Sequence, residues 1–382
     1  MLRPSQRQLF TALFVLAAPV ATPPVPAQTF TVVYQFAKSD GELPSGLVAD
    51  AAGNLYGTTL LGGASDAGVA FELNSTGETV LHTFTGTDGS DPTTGVVRDW
   101  AGNLFGATAG GATPFGEIFK VDTDRNVTVL HSFTGGADGG EPNGLVQDFA
   151  GNLYGTTYTG GATGHGVAFK LDSSGTETVL HNFGGADGIA PASPLIRDWA
   201  GNLYGTTFRG GAFGYVVVFK LDPAGQETVL YSFTGGADGG KPHAGLTLDW
   251  TGNLYGTTAY GGQGSHPACR SGCGVVFKLD TAGSYKVLHT FTGGTDGMIP
   301  TTSLILDWVG NLYGTTSTGG MTGWGVVFKV DPAGHETVLH AFTGGSDGGD
   351  PETGLIRDGL GTLYGTTGYG PSNYGAVFRL TP

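Results

Sequence analysis

Cysteine is almost missing from this chain of 382 residues: Cys269 and Cys273 are its only two, which excludes a scaffold of several disulfides. Basic side chains are also scarce. With 17 Lys and Arg against 32 Asp and Glu the formal net charge is −15, and no basic stripe stands out; nucleic acid and anionic membrane surfaces are poor partners for such a chain. Long apolar runs are absent beyond the N-terminus. The one present, Leu9 to Val20, follows Arg3 and Arg7 and leads to the small-residue site Val25-Pro26-Ala27, which reads as a secretory signal peptide over residues 1–27. At roughly 12 residues this run is short of the ~20 that a spanning helix needs, so no membrane span is expected after its removal. Losing two arginines and no acid gives −15 − 2 = −17 for a mature domain over residues 28–382.

Glycine, in contrast, is plentiful at 71 residues, and it is periodic. Close copies of GNLYGTT begin at Gly53, Gly102, Gly151, Gly201, Gly252, Gly310 and Gly361, so the spacings by subtraction are 49, 49, 50, 51, 58 and 51. A period near fifty, with glycines at fixed offsets beside Val, Leu, Phe and Tyr, marks short strands joined by turns in a propeller or repeat array. One unit reads NGLVQD at 143–148, NLYGTT at 152–157, GVAFKL at 166–171 and TVLHNF at 178–183, which makes four antiparallel strands.

Counting the strands distinguishes a ring from an open array. First-strand copies end at Asp50, Asp99, Asp148, Asp198, Asp249, Asp307 and Asp358, and the seventh unit stops after its third strand, GAVFRL at 375–380. A spare fourth strand, Phe30 to Phe36, precedes the first unit. Pairing 30–36 beside 375–380 removes both unpaired edges. The expected fold is therefore all-β, a seven-bladed β-propeller whose last blade is built from the two chain ends.

Side chains that recur in every unit are expected to be structural. His82, His131, His181, His289 and His340 share one fourth-strand position with Tyr34 and Tyr231, and residues spread round a ring cannot converge on one metal. The FTGGADG segment, as at 133–139, reads as a shaped loop between blades, and no D-x-[DN]-x-[DN]-G calcium loop occurs. Trp100, Phe149, Trp199, Trp250 and Trp308 occupy one position in the turn between first and second strands. Their identical placement in five blades favours packing over carbohydrate stacking.

The units resemble the GloVer-type (Gloeo-Verruco) tandem repeat of secreted bacterial proteins, whose motif stands here as GNLYGTTYTGGATGHGVAFKL at 151–171 and GNLYGTTSTGGMTGWGVVFKV at 310–330. The resemblance implies an extracellular repeat protein and brings no catalytic residues with it. Such proteins often carry a sorting anchor; this sequence ends at Pro382 without one, which favours release.

Function is expected where the copies differ, in the loops between second and third strands at one end of the ring. Tyr158, Arg209, Phe213, Tyr215, Tyr260, Trp324 and Tyr369 are the candidate ligand contacts there, suited to the face of a sugar or to a peptide. The expectation is a secreted monomer that binds an extracellular glycan or protein without cofactor or metal. The alternative is a polysaccharide lyase or hydrolase using His165, Arg209, Tyr215, His243 and Tyr260, which offer a base, a cation and an acid on blades three to five. The loop 263–273 carries the extra length of the fifth unit, and its two cysteines are expected to form a disulfide in an exported protein. Zinc there would need His266 and one further ligand.

Overall fold

Two phenylalanines recur in each unit, one within the third strand and one at or just past the end of the fourth, and their rings set how the units join. In the computed structural model, which describes residues 28–242, 244–264, 266–351 and 353–381, each fourth-strand ring meets the third-strand ring of the next unit edge to face. The pairs Phe36–Phe71, Phe84–Phe119, Phe133–Phe169, Phe183–Phe219, Phe233–Phe277, Phe291–Phe328 and Phe342–Phe378 have centroids 4.9–5.4 Å apart and interplanar angles of 65–71°. Seven such contacts return to their start, so the sheets form a closed seven-bladed β-propeller, with no helix among the described residues. The expected signal segment 1–27 and His243 lie outside the described residues.

Closure follows the expected route. The last blade contains Ile356–Arg357, Leu363–Thr367, Ala376–Thr381 and, as its outermost strand, Thr29–Gln35. That strand runs antiparallel to the chain end, from Thr29 opposite Thr381 to Gln35 opposite Ala376. Phe36 N–H then continues the ladder to Gly375 O at 3.1 Å.

The LYGTT motif is explained by its neighbours. A Cβ on Gly155 would lie 2.7 Å from Phe169 Cζ, so this in-strand glycine leaves room for the ring of the adjacent strand; Gly57 stands in the same relation to Phe71 at 2.8 Å. Of the two buried threonines, the second bridges strands. Thr157 Oγ1 donates to Thr159 O at 3.0 Å and accepts from Val167 N–H at 3.0 Å, which satisfies a hydroxyl that burial would otherwise penalise.

The first strand differs from the sequence expectation. In blade three it is split into Gly140–Pro142 and Val146–Gln147, both against the second strand Leu153–Thr159. Between the two pieces the chain approaches the axis, where small residues from successive blades crowd together. A Cβ on Gly46 would lie 2.7 Å from Gly95 Cα, and one on Gly144 would lie 2.7 Å from Pro194 Cγ. The axis narrows here to a cavity of about 250 Å³.

At the outer edge, the recurrent histidines and tyrosines face an aspartate of their own following loop, within hydrogen-bond distance in five blades and at 3.6 and 3.7 Å for His131 and His289. His82 meets Asp88 at 2.9 Å, His181 meets Asp187 at 2.8 Å, His340 meets Asp347 at 3.1 Å and Tyr34 meets Asp40 at 2.7 Å. In four of the blades the next fourth strand opens with a half-buried glutamate: Glu78, Glu177, Glu227 and Glu336. Each has an Oε1 without a hydrogen-bond partner. Burial, reinforced by Asp40, Asp138 and Asp187, pushes the carboxyls of Glu78, Glu177 and Glu227 up to about 7; burial and Asp296, against an opposing pull from His289, do the same for Glu336.

A carboxyl raised in the folded state holds its proton there while the unfolded chain has lost it. Its stabilising share is therefore complete below about pH 4.5 and lost as pH rises to about 7. Partial exposure reduces the effect to the order of 1 kcal/mol per site. The melting temperature should fall between pH 5 and pH 7.5, roughly, and replacing all four glutamates by Gln should flatten that profile and raise the pH 7.5 value. An unchanged slope in the quadruple variant, measured by calorimetry, would assign the trend to the general acidity of the chain instead.

Candidate functional site

The turn between first and second strands is built by one aspartate per blade. In blade three Gly151 N–H closes the turn on Asp148 O at 3.0 Å, with Gly151 at φ +85°. Asp148 Oδ1 accepts from the N–H groups of Ala150 and Asn152, both at 2.9 Å, while Oδ2 accepts from Asn152 Nδ2 at 2.8 Å and from the Tyr154 hydroxyl at 3.0 Å. Burial alone would raise such carboxyls. Hydrogen bonds from Asn253 and Thr251 outweigh it and bring Asp249 down to about 2, and matching bonds hold Asp50, Asp148, Asp198 and Asp307 below the usual carboxylate range.

This fixed turn aims the residue after the aspartate away from the sheet. Trp100 is 92% exposed, Phe149 74%, Trp199 90%, Trp250 94% and Trp308 100%. The expectation that these rings pack is therefore corrected. At the first corner of a four-residue turn, a side chain has no strand or neighbouring blade to rest on. Instead the five form an aromatic crown over blades two to six, open on one side where Gly359 and Ala51 take the same turn position.

Inside the crown the axis widens into a funnel walled by the first strands. One sector, of about 530 Å³, lies beneath Trp100, Phe149 and Trp199 and includes Arg98, Gln147 and Arg197. A second, of about 560 Å³, lies between Trp250 and Trp308 with Leu248, Leu306 and Arg357. A third, of about 660 Å³, opens at the gap beside Arg357 and Ala49. The Arg98 guanidinium stands 5.3 Å from the Tyr56 ring centre and that of Arg197 5.8 Å from Tyr154. Their Nε donors are buried without hydrogen-bond partners.

On the opposite face the structure joins some of the expected ligand contacts and not others. Tyr158 meets Phe208 at 6.1 Å, Arg209 lies 5.6 Å over Phe208, and Lys241 stands 5.6 Å from Phe208 and 5.4 Å from Tyr260. These make one arc across blades three to five. Trp324 meets Tyr369 at 5.6 Å, yet its indole mainly covers Gly344 and Gly349, as Tyr215 covers Gly235. Phe213 is 58% exposed and stands apart. His165 takes part through its backbone, accepting from Ala190 N–H at 2.9 Å. No hydrogen bond or ion pair joins the side chains of His165, Arg209, Tyr215 and Tyr260. In blade five Cys269 and Cys273 form the expected disulfide, with Cα atoms 5.2 Å apart, and Cys273 and His266 cover Gly293 where blades two, four and six use the rings of Phe115, Tyr215 and Trp324. Among the described residues no cluster of His, Cys, Asp or Glu could hold a metal ion.

A profile of the Gloeobacter/Verrucomicrobia repeat matches residues 22–146, 123–307 and 267–382. The chain belongs to this repeat family. No curated protein sequence matches it. Among solved structures it is similar to a catalytically inactive variant of virginiamycin B lyase from Staphylococcus aureus with quinupristin, at TM-score 0.62 and 12% identity over 93% of this chain and 99% of that one. It is also similar to the extracellular domain of the putative hybrid two component system BT3049 from B. thetaiotaomicron, at TM-score 0.60 and 14% identity over 93% of this chain and 41% of that one. At these identities the likeness is one of fold.

Within the Gloeobacter/Verrucomicrobia repeat as it stands here, the crown had a local signal that the periodicity obscured. Each ring sits between an aspartate and an x-Gly-Asn turn, and in blades two to four the residue two places before it is polar: Arg98, Gln147 and Arg197. Repetition shows that five positions share an environment. The turn grammar shows that this environment is solvent.

Proposed function

We propose that the protein is a secreted monomeric binding module, residues 28–382 forming one propeller domain, which recognises an extracellular glycan or protein through the aromatic crown and its funnel. The observation that carries this reading is the crown itself. Five large rings at 74–100% exposure on one rim, in a chain with a well-packed core, form the kind of apolar surface that soluble proteins keep for a partner. A disulfide in blade five suits an oxidising compartment, in line with residues 1–27 acting as an export signal. The arc of Tyr158, Phe208, Arg209, Lys241 and Tyr260 supports a second contact surface on the variable-loop face.

Four of the five tryptophans lie in the crown and the fifth is Trp324, so a Trp324→Phe protein reports the crown alone. Its emission should be fully quenched by acrylamide in the free state. Soluble glucans, mannans, xylans, polyuronates and secreted proteins form the test panel. At least one should shield the indoles saturably and shift their emission to the blue. Saturable binding that leaves quenching unchanged would move the site away from the crown.

A further inference from the structure

We propose that the crown's ligand is an uncharged polysaccharide chain, lying along the arc of rings with its sugar faces on the indoles and its hydroxyls directed into the funnel. This inference rests on the crown being the ligand surface. Four features of that surface select the ligand class.

The rings are arranged as separate flat platforms. Within the crown only Phe149 and Trp199 touch, with centroids 5.9 Å apart and planes 18° from parallel, whereas Trp250 and Trp308 stand on either side of an open cleft. A continuous apolar partner, such as an amphipathic helix or a lipid surface, needs a merged patch. A chain of similar planar units needs repeated platforms. The arc is also open at Gly359 and Ala51, so it has two ends, as a track for a linear polymer requires.

The funnel wall places cationic donors beside the turn aspartates. Arg98, Arg197 and Arg357 line the cleft sectors and bring guanidinium N–H donors to the wall. Sugar hydroxyls and ring oxygens accept from such groups while the C–H faces of the same units stack on aromatic rings. The acceptors nearby are already engaged, since each turn carboxylate is taken up by its own asparagine or threonine and, in five blades, a tyrosine.

Charge removes the competing occupants. One aspartate stands behind each turn, at 50, 99, 148, 198, 249, 307 and 358, against three wall arginines. A polyuronate or an anionic bilayer meets net repulsion at this rim. A second copy docked crown to crown would oppose two rings of seven carboxylates. An uncharged polyol meets no such barrier.

The test compares soluble β-glucan and galactomannan with polygalacturonate of matched length, phosphatidylcholine vesicles and a secreted-protein panel, using calorimetry and quenching of the Trp324→Phe protein. At least one neutral chain should bind saturably and bind roughly tenfold or more tighter than polygalacturonate at low ionic strength, with the gap narrowing in high salt. Fragments of one or two sugars should bind about tenfold more weakly than the long chain, because they reach a single platform. Trp250→Ala with Trp308→Ala should weaken the neutral chain by about tenfold to a hundredfold with the melting temperature unchanged. Polygalacturonate binding as tightly as the neutral chains, or indoles shielded by vesicles or a protein alone, would overturn the polysaccharide inference while leaving the crown as a binding surface. Indoles shielded by nothing in the set would remove the crown's binding role as well.

Discussion

A chain lacking residues 28–36 is expected to lose cooperative folding. Blade seven would keep three strands and expose Ala376–Thr381 as an unpaired edge. Phe36, 1% exposed, would no longer wedge against Phe71, and a buried Phe alone is worth about 3–5 kcal/mol. Phe30 would leave its stack on His340, 3.8 Å away, and Tyr34 its bond to Asp40 at 2.7 Å. Together these losses are comparable with the ~5–15 kcal/mol that stabilises an ordinary domain. Thermal melting followed by circular dichroism should show a broad, early transition. Appending the same nine residues after Pro382 through a short glycine linker should restore a sharp melt, because only the order of the chain changes. A truncated protein that melts like the full one would mean the ring does not depend on the strand that closes it.

The second large effect lies in binding and leaves stability alone. Trp199→Ala, Trp250→Ala and Trp308→Ala combined should weaken ligand binding by about a hundredfold or more, since central aromatic anchors contribute roughly 1–2 kcal/mol or above each. The same triple change should leave the melting temperature almost where it was, because exposures of 90, 94 and 100% mean that little packing is lost. Phe169→Ala provides the contrast: a fully buried ring in the blade interface, costing about 3–5 kcal/mol and touching no ligand surface. If the triple variant unfolds, the indoles hold the turns together and the crown is structural.

These two predictions mark what could be read from the chain and what could not. Ring closure was legible because it depends on counting: seven copies of the first three strands, and a fourth-strand copy, Phe30 to Phe36, standing ahead of them all. The roles of individual repeated residues were less accessible, because a period reports that an environment recurs and leaves its nature open. Gly155 falls in a strand as the sequence suggests, but the reason for a glycine there, the space taken by the Phe169 ring, needed coordinates. The recurrent histidines could be excluded as a common metal site by their spread, but their aspartate partners come from the following loop and needed coordinates. Trp250 was misjudged for a related reason. Packing was inferred from repetition, whereas the Asp249 turn that carries the ring directs it to solvent. On the variable-loop face, the sequence could not separate rings that cover glycine backbone, such as Tyr215 over Gly235, from the arc that remains available.

Hydroxyl-radical footprinting read by mass spectrometry tests the crown at single-residue resolution. In the free protein Trp100, Trp199, Trp250 and Trp308 should all be oxidised rapidly, well ahead of Trp324 at 38% exposure and far ahead of the buried Phe169, and a bound neutral polysaccharide should protect the four selectively. Crown indoles as protected in the free protein as Phe169 would mean that the rings are packed, and that the rim has no aromatic surface to offer a ligand.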